Sequence, residues 1–148
     1  MQDGTCRVEQ AQFVLEIATR GRAMHDITRD VGGWVAATGI GTGLLTVFCR
    51  HTSASLTIQE NAAPEVRDDI VDWLDRIAPE TGGWRHGDEG SDDMPAHLKS
   101  VLTGVSLSIP VANGKPVLGA WQGIYLIEHR ARAHRRQVVL HLIGGPAR

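Results

Sequence analysis

The sequence predicts an α+β or sandwich-like fold, formed by a single domain over residues 1–148. Three observations support this prediction. A chain of 148 residues has the usual length of one domain. Hydrophobic residues make up 42% and charged residues 22% of the chain, which is the balance of an ordinary globular protein. The predicted strands outnumber the predicted helices and follow one another without regular β-α alternation, which argues against a doubly wound fold.

The N-terminal third is predicted to hold a strand, a helix and the start of a sheet. Apolar residues at every second position predict the first strand, from Gln10 to Ile17. Helical spacing of apolar residues predicts a helix from Asp26 to Ala37, with its first residue as the N-cap. The glycine-rich segment 39–43 predicts a loop. A continuous apolar run then predicts a buried strand over Leu44–Cys49, and Leu56–Ile58 is expected to continue that sheet.

Two further helices are predicted in the middle of the chain. The first, Pro64–Ala78, begins with a proline suited to the first turn and carries an apolar stripe. This stripe consists of Val66, Ile70, Trp73, Leu74 and Ile77. A long loop rich in glycine and acidic residues follows and ends at Asp93. The second helix is predicted from Asp93 to Thr103, where Gly104 stops it.

The C-terminal third is predicted to be β structure. Val105–Val111 alternates between apolar and polar residues, and Asn113-Gly114 is a strong hairpin signal. Val117–Glu128 is the next predicted strand, interrupted by two glycines. A basic connection over Arg130–Arg135 leads to the last predicted strand, Gln137–Ile143, which the following glycines end.

Charge is distributed unevenly along the chain, and its total excludes some function classes. Residues 60–93 hold eleven acids and three bases, whereas residues 94–148 hold one acid and seven bases. The near-neutral total argues against general nucleic-acid binding, while the basic C-terminal third suits a phosphorylated small molecule. No apolar run reaches the roughly 18 residues of a transmembrane helix, so no membrane partner is expected. Met1–Gly4 lacks the features of a secretory signal, and Cys6 and Cys49 form no C-x-x-C motif, so a cytoplasmic location is expected.

The acidic loop contains the residues best suited to bind a metal. His86 and His97 flank four carboxylates, which belong to Asp88, Glu89, Asp92 and Asp93. Imidazole together with carboxylate suits Zn²⁺, Mn²⁺ or Fe²⁺, whereas carboxylates alone suit Mg²⁺. The alternative is a solvated acidic loop whose histidines form hydrogen bonds with the backbone.

A second group of polar residues follows the predicted strand that ends at Cys49. His51 lies at the strand end, and the hydroxyls of Thr52, Ser53 and Ser55 are suited to hold phosphate oxygens. The alternative is an ordinary polar turn. Cys49 and His51 project to the same side of a strand, which allows a Cys–His pair, but a buried structural cysteine is the alternative that we favour.

Two segments of the C-terminal third offer binding side chains. In Gly119–Gly123, Gln122 provides an amide and Trp121 a stacking face; the alternative is a bulged core strand with Trp121 packed inside. Glu128–Arg136 holds four arginines and two histidines, and Arg130 is suited to pair with phosphate. The alternative for this segment is a solvated, charged hairpin loop.

Several separated motifs resemble one known family, in the same order along the chain. They are His51-Thr-Ser-Ala-Ser-Leu56, Glu60-Asn61, His86-x-x-Glu89-Gly90-x-Asp92-Asp93-Met-Pro-x-His97, Ser106-Leu-Ser-Ile-Pro110, and Gly119-x-Trp121-Gln122-Gly123 followed by Glu128-His129-Arg130. The sequence resembles the YjbQ family over about residues 10–145. One departure is Ala120, where the family has threonine in its Gly-Thr-Trp-Gln signature, so any hydrogen bond from that hydroxyl is absent here.

The resemblance implies a fold, an assembly and an activity. The implied fold is a compact antiparallel β-sandwich-like core with two or three helices, assembled as a homotrimer. The implied activity is that of a secondary thiamine-phosphate synthase, which joins hydroxymethylpyrimidine diphosphate to thiazole phosphate and releases pyrophosphate. By matching position, His51, His86 and His97 are the expected metal ligands.

Two functions are therefore expected as alternatives. The first is a transferase that uses a divalent metal ion (Zn²⁺, Mn²⁺ or Mg²⁺) to neutralise the leaving pyrophosphate. Its expected catalytic residues are Glu60, Glu89 and Asp93, and its expected substrate-binding residues are Ser53, Ser55, Gln122 and Arg130. The second is a homotrimer that binds a metal or a phosphorylated metabolite without chemistry of its own.

Overall fold

Two antiparallel sheets and three helices make up residues 6–147, the part of the chain that the computed structural model describes. The strands are β1 (Glu9–Thr19), β2 (Ala23–Asp26), β3 (Ile40–Cys49), β4 (Ala54–Glu60), β5 (Ser106–Ala112), β6 (Lys115–Pro116), β7 (Gln122–Glu128) and β8 (His134–Pro146). The helices are α1 (Thr28–Thr38), α2 (Pro64–Ile77) and α3 (Asp93–Thr103). A five-stranded sheet has the order β1-β8-β3-β5-β6, and a three-stranded sheet has the order β2-β7-β4. This architecture confirms the predicted α+β fold.

The main core lies between the two sheets. Leu45 and Leu140 of the larger sheet pack in one cluster with Leu56 and Leu126 of the smaller sheet, and none of the four is more than 1% exposed. Helix α1 adds Val31 and Val35 to the same cluster. Each large apolar side chain buried in this way contributes roughly 1.5–3 kcal/mol of transfer free energy. Burial between the sheets therefore holds their edges, and the loops there, in fixed relative positions.

The opposite face of the five-stranded sheet is not covered by any described element. Val14 and Phe48 both pair with Val139 of β8, and Leu44 pairs with Ile143 of the same strand. The side chains of these paired residues therefore lie on this face. Four of these apolar side chains are about two-fifths exposed: Val14, Leu44, Phe48 and Ile143. An apolar sheet face of this kind is typical of a surface that contacts another molecule.

The N-terminal half differs from the sequence prediction at the start of α1. The first strand is longer than predicted, and α1 begins at Thr28, so Asp26 is not its N-cap. Asp26 is the last residue of β2, a short strand that the prediction missed because four residues carry too little periodicity. Its carboxylate still accepts a hydrogen bond from the Thr28 N–H at 2.9 Å, at the first residue of α1. This bond resembles the one that an N-cap aspartate forms with the start of a helix.

The predicted loop at residues 39–43 was wrong, since Gly41 and Gly43 lie within β3. A Cβ on Gly43 would lie 2.4 Å from the Ile143 carbonyl oxygen, and a Cβ on Gly41 would lie 2.6 Å from the Ala147 Cα. These glycines therefore allow neighbouring backbones to approach closely inside a sheet. The segment Leu56–Ile58 also does not continue the sheet of β3, because β4 pairs with β7 in the second sheet.

The predicted middle helices are confirmed, with one error in the apolar stripe of α2. Leu74 is buried, but Trp73 is 48% and Ile77 is 46% exposed. The long loop between α2 and α3 is confirmed, and α3 runs from Asp93 to Thr103 and is followed by Gly104, as predicted.

The C-terminal strands are shifted relative to the prediction. Asn113 and Gly114 have φ values of 52° and 72°, which confirms the hairpin turn between β5 and β6. The predicted strand Val117–Glu128 was wrong in its first part, because β7 begins only at Gln122. The last strand is longer than predicted, and Gly144 and its neighbours lie within β8 rather than ending it.

Within residues 6–147, every helix is too short or too polar to cross a membrane. The expectation that Met1–Gly4 carries no secretory signal lies outside the described residues.

Candidate functional site

Three side chains that can bind a metal converge at the first turn of α3. Asp93 and His97 lie four residues apart on one face of this helix, and His86 comes from the preceding loop. The Nε2 atoms of His86 and His97 lie 2.6 Å and 3.2 Å from the same atom, Asp93 Oδ2. The three ligand atoms all lie within 4.8 Å of one another, so one cation can contact all three. We call these residues the His–Asp–His cluster.

Arg130 determines which oxygen of Asp93 faces the imidazoles. Its Nη1 donates to Asp93 Oδ1 at 2.7 Å, its Nε donates to Asp92 Oδ2 at 3.0 Å, and its Nη2 donates to the Glu89 carbonyl at 2.8 Å. The side chain is buried between the loop before α3 and the end of β7. Because Arg130 occupies Oδ1, the second oxygen of Asp93 is left to the two histidines.

A glycine shapes the loop that brings these groups together. Gly90 has a φ of 108°, which a residue with a side chain rarely adopts. A Cβ at this position would also lie 3.2 Å from Asp92 Oδ1, one of the oxygens bound to Arg130. The backbone of Gly90 then accepts a hydrogen bond from the Asp93 N–H at the start of α3.

The hydrogen bond of His97 to the backbone defines the protonation of its ring. Its Nδ1 lies 2.7 Å from the carbonyl oxygen of Thr52, which can only accept, so Nδ1 carries a hydrogen. In a neutral ring, Nε2 then presents a lone pair to the carboxylate oxygen of Asp93 at 3.2 Å. Two acceptors at this distance require a proton or a cation between them. The donor set therefore fits a metal ion, or else an imidazolium–carboxylate pair.

The electrostatic surroundings keep both aspartates ionised. Burial alone would raise the pKa of Asp93, but the hydrogen bond from His86 and the charges of His97 and Arg130 outweigh it and lower the pKa. Burial opposes ionisation of Asp92 too, but the Ala131 N–H and the Arg130 guanidinium lower its pKa below the usual value. A deprotonated carboxylate is the form that binds a cation.

His51 does not join the cluster. Its Nε2 accepts a hydrogen bond from the Gln137 N–H at 2.8 Å. Burial, followed by the charge of Arg136, lowers the pKa of His51, so its ring is neutral at neutral pH. The structure places it instead beside a groove of about 1000 Å³ between α3 and the end of β3. We call this cavity the α3 groove, and its lining residues are Phe48, Cys49, Arg50, His51, Thr52, His97, Ser100, Val101, Gly104 and Val105.

The serines of the predicted phosphate-binding run point into the interior. Ser55 is fully buried, with its Oγ 2.7 Å from His129 Nε2. Ser53 is also buried, and its Oγ accepts a hydrogen bond from Arg136 Nη2 at 3.0 Å. Neither hydroxyl lines the α3 groove.

Glu60 and Gln122 lie at the far end of the smaller sheet. They are paired in register, whereas Glu128 pairs with Ala54 at the other end of the same two strands. Six residues of strand separate the two ends by about 20 Å. The Glu60 carboxylate accepts the N–H groups of Ala62 and Ala63 before α2, and the Gln122 amide oxygen accepts the Gly119 N–H. The structure therefore does not bring these two residues to the cluster.

The structure also places Trp121 and Glu89. Trp121 is 67% exposed, so the alternative that packed it inside a core strand was wrong. Glu89 contacts Arg130 through its backbone carbonyl, which accepts a hydrogen bond from Arg130 Nη2.

The charged run Glu128–Arg136 is not a solvated hairpin, and that alternative was wrong for its key residues. Glu128, His129, Arg130 and Arg136 are all buried. Arg136 donates from Nε and Nη2 to the two oxygens of Glu128 at 2.8 Å and 2.6 Å. Burial would raise the pKa of Glu128, but the donors from Arg136 and Thr19 outweigh it and lower the pKa. Burial also lowers the pKa of His129 to about 3.

Two features of the site had no usable signal in the sequence. The Thr52 carbonyl and the Gln137 N–H orient His97 and His51, and both are backbone groups that any residue type provides.

Cys49 is buried with its thiol 3.6 Å from the Ala54 carbonyl, and burial raises its pKa. It is therefore a structural cysteine and is not activated by His51.

Comparisons with known proteins agree with this fold over nearly the whole chain. The family model described as UPF0047 protein YjbQ-like matches residues 13–145. A UPF0047 protein from Synechocystis sp. is 49% identical over 136 residues, covering 91% of this chain and 92% of the relative. The UPF0047 protein YjbQ of Escherichia coli O157:H7 is 40% identical over 134 residues, covering 90% of this chain and 97% of the relative.

A solved structure supports the same assignment. The crystal structure of an uncharacterised conserved protein of the YjbQ/UPF0047 family from Clostridium acetobutylicum superposes with a TM-score of 0.79 at 38% identity. The match covers 89% of this chain and 98% of that one. Sequence and structure together show that the chain belongs to the YjbQ family of UPF0047 proteins.

Proposed function

We propose that this protein binds a divalent cation (Zn²⁺, Mn²⁺ or Mg²⁺) through His86, Asp93 and His97 and acts on a phosphorylated small molecule. One observation carries the proposal: the Thr52 carbonyl leaves His97 Nε2 facing an ionised Asp93 oxygen, an arrangement that a bound cation satisfies. Two imidazoles and one carboxylate leave coordination positions open, as in metal sites that also bind a substrate or water. His51 is left out of the ligand set because its Nε2 is bound to the backbone.

The activity that we propose for this site is thiamine-phosphate synthesis, as the family resemblance implies. The ring nitrogen of the thiazole phosphate forms a C–N bond to the methylene carbon of hydroxymethylpyrimidine diphosphate. The C–O bond to the diphosphate breaks, and pyrophosphate leaves with the electron pair. No covalent intermediate with the protein is needed. Lewis-acid stabilisation of that leaving group is the chemistry that a bound divalent cation supplies.

In this proposal the residues of the chain bind and orient rather than transfer protons. Asp93 supplies the one anionic ligand, and Arg130 holds it in position. Arg130 is therefore assigned to the support of Asp93 and not to the phosphate. Ser53 and Ser55 receive no role in this proposal because their hydroxyls are buried and bonded to Arg136 and His129. Glu60 and Gln122 receive none because they pair at the far end of the smaller sheet.

The test is an assay of purified protein with both thiamine precursors and each of the three cations in turn, with thiamine phosphate measured by mass spectrometry. We expect product with the wild type and none above background with His97→Ala. His141→Ala is the matched control, since this histidine lies on the five-stranded sheet and outside the cluster. Equal rates for the His97→Ala variant and the wild type would contradict the proposed activity.

A second candidate function is a homotrimer that binds a metal or phosphometabolite without catalysis. The observation that favours it is the uncovered apolar face of the five-stranded sheet, which includes Phe48 and Leu44. Light scattering of protein with and without a chelator tests it. A trimer that dissociates when the metal is removed, together with no product in the assay, favours this function over the transferase.

A further inference from the structure

We propose that the α3 groove binds the organic part of a phosphorylated ligand, an apolar body about 10 Å long whose phosphate or diphosphate lies at the His–Asp–His cluster. This inference rests on the proposed function and specifies its substrate class. The cluster accounts for the phosphate, and the groove accounts for the remainder of the molecule. His97 belongs to both, since it contacts Asp93 and also lines the groove.

One wall of the groove is a single face of α3 and the residue after it. His97, Ser100, Val101 and Gly104 follow one another at the i, i+3, i+4 and i+7 positions, which lie on the same side of a helix. Seven residues at 1.5 Å each place the far end about 10 Å from His97. A ligand bound at the cluster through its phosphate can therefore extend along this face to Val105.

The walls of the groove offer few polar atoms to a ligand. The Ser100 hydroxyl donates to the Ala54 carbonyl at 3.0 Å, and the Cys49 thiol lies 3.6 Å from the same oxygen. Both groups are therefore occupied within the protein. Phe48, Val101 and Val105 supply apolar surface, and Val101 is 83% exposed at the rim. Apolar walls with a few oriented polar groups are typical of small-molecule sites, and such sites reach about 1000 Å³.

Two of the described lining residues, His51 and Arg50, offer hydrogen-bond donors to a ligand. Because His51 Nε2 accepts the Gln137 N–H, the hydrogen of its neutral ring is on Nδ1. Among the residues that the structure describes, none accepts a hydrogen bond from this Nδ1. Arg50 adds an exposed guanidinium that uses only Nη1, toward the Gln137 side chain. The described lining residues include no carboxylate, so the part of the groove beside Arg50 and His51 favours an oxygen-rich part of the ligand.

The test compares phenyl phosphate, inorganic phosphate and phenol on zinc-loaded protein by calorimetry, after zinc binding itself has been measured. We expect phenyl phosphate to bind about tenfold or more tightly than inorganic phosphate, and phenol to bind least. Equal affinity for phenyl phosphate and inorganic phosphate would overturn the groove assignment and leave the metal site standing. A protein that binds no zinc and no phenyl phosphate would overturn both the groove assignment and the proposed function.

Three variants separate the groove from the cluster. Val101→Glu places a carboxylate at the rim of the groove, and Val117→Glu is the matched control, since Val117 is exposed but does not line it. We expect only Val101→Glu to weaken phenyl phosphate binding, by about tenfold or more, with zinc affinity unchanged in both.

His51→Gln keeps an acceptor for the Gln137 N–H but removes the Nδ1 donor, and we expect it to weaken phenyl phosphate binding while the protein stays folded. If neither Val101→Glu nor His51→Gln changes phenyl phosphate affinity, or if a second copy of the chain occupies the groove, the inference is wrong.

Discussion

The His–Asp–His cluster and the Glu128–Arg136 pair contain similar groups but differ in how completely these are bonded. Both oxygens of Glu128 accept hydrogen bonds from Arg136, and Thr19 and the Arg130 N–H add further donors. Asp93 has one oxygen held by Arg130, while the other faces two imidazoles that are partly exposed to solvent. A closed pair of this kind supports the fold, whereas an open cluster is suited to take up a further ligand.

This comparison predicts its largest effect on stability at the closed pair. Arg136→Ala leaves the Glu128 carboxylate buried without its main partner, which costs about 3–5 kcal/mol of unfolding free energy. Urea denaturation measures the loss. Arg135→Ala is the control, because its contact with Glu16 is highly exposed and contributes little. Equal unfolding free energies for the two variants would contradict the role of the pair.

A second prediction concerns pH and the buried His129. Its pKa of about 3 in the folded protein lies below the ordinary value of 6.5, because burial disfavours the charged ring. The unfolded chain therefore binds a proton first as the pH falls, and stability is lost through this range. The loss amounts to about 3 kcal/mol between pH 6.5 and pH 4.

Unfolding free energies of His129→Gln at several pH values check this prediction. The variant should show a shallower dependence on pH than the wild type, whatever its stability at neutral pH. His141→Gln serves as the control and should keep the slope of the wild type. A His129→Gln variant with an unchanged slope would show that this imidazole does not cause the acid sensitivity.

The open cluster should behave in the opposite way, with a large effect on metal affinity and a small one on stability. His97→Ala removes one of three ligands, so we expect zinc affinity to fall by more than about 100-fold (about 3 kcal/mol). His97 is about one-third exposed, so urea unfolding should change less than in Arg136→Ala. Competition with a chromophoric chelator measures the affinity. A loss of stability without a loss of zinc affinity would reverse the distinction between the two regions.

A smaller effect is expected for the residue that supports the cluster. Arg130→Gln frees Asp93 to change orientation, and loss of such a supporting contact lowers metal affinity about 10–100-fold. Arg132→Gln, at an exposed neighbouring position, is the control and should bind zinc as the wild type does. Unchanged zinc affinity in Arg130→Gln would show that Asp93 does not depend on this guanidinium.

The sequence predicted much of this arrangement because the relevant signals are local. Asp93 and His97 lie on one helix four residues apart, and a loop with glycines can return His86 to the same turn. The amphipathic pattern of α2 and the Asn113-Gly114 turn were also sufficient to predict their elements. Each of these features depends on residues close together in the chain.

The features that were missed depend on contacts between distant segments. Gly41 and Gly43 resemble loop residues until the strand that carries Ile143 and Gly144 is placed beside them. His51 has the residue type of a metal ligand, but the backbone of Gln137, 86 residues away, occupies its Nε2. Likewise, Arg130 was expected to bind phosphate because the carboxylates that surround it cannot be located from the sequence alone.

Zinc K-edge X-ray absorption of the zinc-loaded protein, with and without phosphate, tests the central claim most directly. The proposed function predicts one zinc per chain, bound by two imidazole nitrogens at about 2.0–2.1 Å together with oxygen ligands. Adding phosphate should change the oxygen part of the spectrum, since the site has open positions. A protein that binds no stoichiometric zinc, or a zinc with sulfur or three imidazole ligands, would contradict a metal site formed by His86, Asp93 and His97.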